Sequence, residues 1–402
     1  MEKNHLKTRN VPNELELLRC LFDYISQMDP DVIVGHNITG NDLPILQTRI
    51  MRYKLNWSKL GRLRRSSTLP RLLVNDLPYV LFCGRLCVDT YSSAKELIKE
   101  EDYSLTYLCH KYTRVQAREF ENAQIPLLFQ SATRLCGLLK SLLINVNAVL
   151  QHMLNLQIVP LTHQISTISG LWWNRCLRSN RSERVEYYLL HGFHQLNFIV
   201  PDKQTKEKIG KRISKYEGGL VLEPKAGLYE DFILVLDFNS LYPSIIQEYN
   251  LCYTTVKREK KVDHPDEQQE QEEEQEEEQE EMKEQLKEDG DGDVVINEDT
   301  QFVLPDLPAT VEEKDLAPLP KMIRYLVQKR REVKGLMKNE KDPLKAKQYD
   351  IKQLALKILA NSMYGCLGFT NSRFCATKIA STVTSTVSSE VYIHCVGSFH
   401  SS

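Results

Sequence analysis

Two groups of side chains in this sequence could handle a phosphorylated substrate. The first lies in FILVLDFNSLYPSIIQEYN, residues 232 to 250, where an apolar run ends in one carboxylate, Asp237. A carboxylate at the C-terminal end of a buried strand is where α/β-type sites hold metal ligands. The residues behind it open a helix that Asn239 or Ser240 can cap, and the free N–H groups of a first helical turn favour phosphate. A magnesium-binding carboxylate beside such a cradle suits a triphosphate. An aspartate in that position can also do no more than cap the helix, and this stretch alone leaves both readings open.

The second group is cationic. Lys357, Asn361 and Tyr364 are spaced i, i+4, i+7, so they share one face of a helix expected to close at Gly365. On the preceding helix Arg330 and Lys334 are four apart. Turned toward Asp237, these three cations would meet a triphosphate and stabilise the charge that develops in phosphoryl transfer. A solvated basic face on an ordinary hairpin has the same spacing.

The elements that must position these residues read as follows. DVIVGHN is a short strand running into a polar turn, and NDLPILQTRIMRYKL then has helical spacing. CGRLCVDTYSSAKELIKE repeats the plan, with a strand to Val88, a turn at Asp89 and a helix from about Ser93. Residues 124 to 157 are leucine-rich at helical period and predict one or two core helices. Gly218 and Gly219 mark a tight turn and a domain junction. Residues 232 to 237 form a buried strand. PKMIRYLVQKRREVKGLMKN and YDIKQLALKILANSMYG predict an αα-hairpin joined through NEKDPLKAK.

Charge is divided unevenly. Residues 263 to 300 carry 19 acidic side chains against Lys283 and Lys287, so a formal net charge of −2 hides +15 on the rest of the chain. A basic body suits a polyanion, nucleic acid first. The acidic run has no apolar face to bury and reads as a solvated insertion. Within it DGDGD imitates a calcium loop but lacks the glycine and the bidentate glutamate such a loop needs. Ten scattered cysteines include no C-x-x-C pair, which argues against a zinc ribbon and for free thiols in the nucleus or cytosol. No run of eighteen apolar residues and no signal-peptide core occur, so no membrane partner is expected.

Taken together, DFNSLYPSII followed by K-x-x-x-NSMYG resembles motifs A and B of the B-family DNA polymerases. SLYPSIIQEYNLCYTTV, NWSKLGRLRRS, RSERVEYYLLHGF, YEGGLVLEPKAG and NSMYGCLGFTNSRF resemble eukaryotic replicative members of that family, over about Leu18 to Ala376. The resemblance implies a multidomain α/β and α+β fold. An inactive, incomplete RNase H-like exonuclease domain would occupy 1–157, and a segment returning to the N-terminal domain 158–213. An incomplete palm with motif A would occupy 214–305, interrupted by the acidic insertion at 256–300. A two-helix fingers hairpin would take 306–368, and a palm remnant with a divergent Ser/Thr-rich tail 369–402.

The same resemblance assigns roles. Asp237 and the Phe238 backbone would hold two Mg²⁺ ions. The backbone from Phe238 through Ser240 to Leu241 would cradle phosphates, and Tyr242 would exclude a ribose 2′-OH. Arg330, Lys334 and Lys357 would grip the triphosphate, with Asn361 assisting. Tyr364 would pack on the nascent base pair and Gly365 would allow close approach. Tyr216, Gly218 and Gly219 would touch template. Implied partners are dNTPs and a primer–template, RNA-primed or DNA-primed, with a primase and an accessory subunit docking mainly on a region absent from this sequence. Nuclear residence follows from the same likeness.

The sequence also departs from the family. The Tyr-Gly-Asp-Thr-Asp hairpin that supplies the second metal carboxylate is absent: no Asp follows Asp350, and past Gly365 the only acid is Glu390. Slow or absent polymerisation by this chain is therefore expected, leaving a non-catalytic dNTP- and nucleic-acid-binding chain as the alternative. In the exonuclease region Asp42 falls where the second motif has a metal ligand, but Tyr107 stands where the third needs Asp, and no Asp-x-Glu precedes Asp42. No 3′–5′ exonuclease is expected, and Asp42 reads as a helix-start residue.

Overall fold

The computed structural model describes residues 9–63, 69, 71–113, 115–121, 123–203, 227–228, 240–255 and 316–386. The chain divides into two compact units, Met1–Ile213 with Met322–Cys375, and Ser214–Lys321 with Ala376–Ser402.

In the first unit α1 (Glu14–Met28) leads into strand β1 (Val32–Gly35), which pairs in parallel with β2 (Leu86–Asp89), Val32 opposite Leu86 and Gly35 opposite Asp89. Between them α2 (Leu43–Tyr53) and the short α3 (Leu77–Leu81) close a core around Phe22, Ile50, Trp57, Leu60 and Leu77. Helix α4 starts at Thr90, not near Ser93, and ends at Leu97; the Asp89 carboxylate takes the Tyr91 N–H at 3.1 Å and so caps it. Then come α5 (Leu105–Tyr112), α6 (Ala132–Asn155) and α7 (Ile158–Ser169). Val88, Met153 and Ile158 are buried together beneath the strand pair.

Helix α6 is long and apolar enough to cross a membrane by length and composition, at a mean hydropathy of 1.3. Leu138, Ser141, Ala148, His152 and Met153 on one face are buried. The core helix expected from the leucine pattern is buried on that face only, because Leu142, Leu143, Val146, Leu150 and Leu154 remain exposed.

After α8 (Arg181–Gln195), the second unit contributes α9 (Leu241–Glu248). Asn250 and Cys252 behind α9 receive the Ala317 and Leu319 backbone N–H groups at 2.8 and 3.5 Å. Three further helices follow: α10 (Pro318–Asn339), α11 (Pro343–Asn361) and α12 (Met363–Gly368). Helix α11 begins six residues before the expected start because Asp342 and Pro343 form a cap and a first helical residue; the Asp342 carboxylate accepts from Leu344 N at 2.9 Å. Glu340, Lys341 and Asp342 alone join the two long helices. Ile351 and Ala355 of α11 bury against Leu161 and Ile165 of α7. Residues 377–386, expected to diverge from any palm, are helical, with Ile379, Ala380 and Val383 buried.

Candidate nucleotide site

The cationic residues sit on α10 and α11. Lys334 and Lys357 are exposed and Arg330 is half-buried. Burial lowers the Arg330 pKa from its ordinary value, and its Nε–H reaches Gln353 Oε1 at 3.3 Å, linking α10 to α11. Gln353 also donates to Asp350 at 2.9 Å, so the guanidinium is held by a short polar chain.

Asn361, exposed, is the last residue of α11. The single helix expected to run through Tyr364 and close at Gly365 is instead two. Ser362 stands between α11 and α12 with φ −84° and ψ −7°, and its hydroxyl donates back to Ile358 O at 2.7 Å. Such back-bonding bends a helix without requiring glycine or proline. Tyr364 and Gly365 therefore lie in the first turn of α12. Among the described residues a Cβ at Gly365 would meet nothing within 4 Å, and the residue is exposed.

In the second unit Ser240 has φ 61° and ψ 52° and precedes α9 without a side-chain capping bond. Of the two residues expected to cap this helix, Ser240 does not, and Asn239 lies outside the described residues. The Ser240 carbonyl still accepts from Ser244 N at 3.0 Å. Leu241 and Tyr242 are half-buried. Asp237, Phe238, Asn239, Tyr216, Gly218, Gly219 and the strand expected at 232–237 lie outside the described residues, as does the acidic insertion.

In the exonuclease-like region Asp42 directly precedes α2 without a side-chain cap bond. Burial raises its pKa, and nearby Asp89 adds to that rise. Asp89 accepts the Asn37 N–H at 2.8 Å and the Thr39 N–H at 3.2 Å, pinning the turn after β1. Tyr107, at the position where a metal ligand is needed, donates instead to Glu100 at 3.1 Å. Sequence reasoning missed Asp89 as a pin; its signal is an acid at the end of a strand beside a second strand–turn. Among the described residues no three His, Cys, Asp or Glu side chains gather as a metal site.

Comparison with known proteins identifies the family. The sequence pattern of DNA polymerase family B matches residues 171–387, and that of the family's exonuclease domain matches residues 1–108. The chain belongs to DNA polymerase family B. The matched regions begin before Leu18 and continue past Ala376 to residue 387.

Within that family the chain is 40% identical over 411 residues to the DNA polymerase alpha catalytic subunit of Oxytricha trifallax, covering 93% of this chain and 26% of that one. It is 41% identical over 395 residues to the Xenopus laevis subunit of the same name, and 38% over 411 residues to that of Mus musculus, covering 92% and 96% of this chain. The chain spans about a quarter of the length of these relatives. The family B DNA polymerase of Pyrobaculum calidifontis shares the fold, with a TM-score of 0.66 at 23% identity, over 98% of this chain and 46% of that one.

Proposed function

We propose that this chain forms the nucleotide-gripping part of a replicative, DNA-directed DNA polymerase. The observation that carries the reading is the set Arg330, Lys334, Lys357 and Asn361 on two consecutive helices, in a region that matches the family and whose relatives are polymerase alpha catalytic subunits. In this reading the three cations hold the β- and γ-phosphates of a dNTP, and Asn361 assists. Ser240 and Leu241 add backbone N–H donors, Tyr242 excludes the ribose 2′-OH, and Tyr364 with Gly365 meets the nascent base pair. Tyr216, Gly218 and Gly219 contact template. The complete enzyme joins a primer 3′-OH to the α-phosphate and releases pyrophosphate. It works in the nucleus beside a primase and an accessory subunit.

Two Mg²⁺ ions would stabilise the attacking and leaving oxygens in such a reaction. In this chain Asp237, with the Phe238 backbone, is the group proposed to hold them. A second reading for the isolated chain is binding of dNTP and nucleic acid without turnover. A fluorescent dNTP titration with the full chain tests the first claim. Saturable binding, weakened at least tenfold by Lys357→Ala and by Arg330→Ala, is expected; unchanged affinity in both variants overturns it. Primer extension distinguishes the two readings: steady extension abolished by Asp237→Ala refutes binding without turnover.

A further inference from the structure

RSERVEYYLLHGF has no task in the site described above. It folds as α8, and its side chains reach the helices that carry the proposed nucleotide contacts. Tyr188 donates its hydroxyl to the Met322 carbonyl of α10 at 3.2 Å. One turn on, Gly192 leaves room for Met322: a Cβ there would stand 2.0 Å from the sulfur. Glu186, 7% exposed, accepts from Arg373 Nε at 2.7 Å across 187 residues of chain. Phe193 stacks on Phe374 with ring centroids 5.8 Å apart.

Arg373 and Phe374 lie in the turn behind α12, and that turn is tied back to the helix. The Ser372 hydroxyl takes the Phe374 N–H at 3.1 Å and lies 3.0 Å from the Cys366 thiol. Ser372 and Cys366 are both buried, so solvent does not compete for these contacts. We propose that Glu186 is a positioning residue: by holding Arg373 it fixes the turn behind α12, and so sets where Tyr364 stands relative to Lys357 and Asn361. It touches no substrate. The nucleotide consequence rests on the function proposed above; the clamp itself does not.

The physical basis is the cost of leaving a guanidinium largely buried without its anion. Removing Glu186 leaves Arg373 to seek water, and the turn moves with it. Small displacements of binding groups are enough to weaken a site that depends on geometry.

The test uses the full chain with Glu186→Ala, Glu186→Gln and Arg373→Lys, each checked for parental helical circular dichroism. Hydrogen–deuterium exchange reads the clamp without any ligand. Exchange across residues 362–375 is expected to rise about tenfold in Glu186→Ala and less in Glu186→Gln, which keeps an acceptor oxygen for Arg373, with the peptides of α1 and α2 unchanged. Titration of a fluorescent dATP with magnesium reads the consequence: affinity falls about tenfold in Glu186→Ala and Arg373→Lys and stays within about threefold in Glu186→Gln. Unchanged exchange at 362–375, or a rise spread over the whole first unit, overturns the positioning role. A local rise with unaltered nucleotide affinity overturns its link to the site. If the parent shows the clamp but binds no nucleotide, the functional reading fails and the clamp stands.

Discussion

His152 provides a pH test of the first unit. It is fully buried in α6, both ring nitrogens lack a hydrogen-bond partner among the described residues, and its ring meets that of His36 edge-on at 6.5 Å. Burial, with a smaller push from His36, drives its pKa down to about 4 from an ordinary 6.5. His36 is also lowered by burial; its Nδ1 lies 2.9 Å from Thr90 Oγ1, and its Nε2 lies 2.9 Å from the Tyr103 carbonyl. A depressed histidine pKa means the unfolded chain takes up a proton that the folded chain refuses. Stability is therefore unaffected above pH 6.5 and is lost as pH falls toward 4. A fall from 6.5 to about 4 corresponds to about 3 kcal/mol in full, of which roughly 2 kcal/mol is lost by pH 5. In His152→Leu that loss should vanish, because leucine has no proton to gain and no buried nitrogen to leave unpaired. Trp57, Trp172 and Trp173 all lie in the first unit, so urea unfolding followed by tryptophan fluorescence at pH 7.5 and pH 5 measures it directly. The parent should lose roughly 2 kcal/mol more than the variant between the two pH values. Equal losses would refute the assignment of this acid sensitivity to His152.

Three further substitutions probe the same unit. Gly170 ends α7 at φ 72°, and a Cβ there would lie 2.3 Å from His191 Nε2. Gly170→Ala should therefore cost about 3 kcal/mol in the same urea assay, through both backbone strain and overpacking. Glu96 pairs with Arg184, whose side chain is 2% exposed and whose Nη2 also donates to the Cys176 carbonyl at 2.6 Å. Burial alone would raise the Glu96 pKa, but Arg184 reverses that and leaves it lowered. Glu96→Gln should destabilise by about 3–5 kcal/mol at pH 7, and the difference from the parent should narrow as pH falls below the carboxylate range. Asp342→Ala removes only an exposed cap and should cost about 1 kcal/mol, seen as fraying of the first turn of α11 in amide exchange.

What could be read from the sequence divides by distance along the chain. Lys357 and Asn361 were legible as one face because helical spacing is local, and Arg330 with Lys334 likewise. The start of α11 was also written locally, in Asp342-Pro343, although the polar stretch around it looks like a linker. The break at Ser362 left no such mark: its backbone stays in the right-handed helical region, and the bend depends on a hydroxyl turning back to Ile358. Harder still are the contacts that join distant segments. The Asp89 carboxylate collects amides 50 and 52 residues away, and Glu186 finds Arg373 across 187. Each of these residues looks, in its own neighbourhood, like an ordinary surface charge. A buried carboxylate needs a partner, so finding one buried is what reveals that a partner exists. For Glu186 that partner lies in the turn behind Tyr364. A stretch that seemed only to mark a family is thereby placed under the residues proposed to meet the nucleotide.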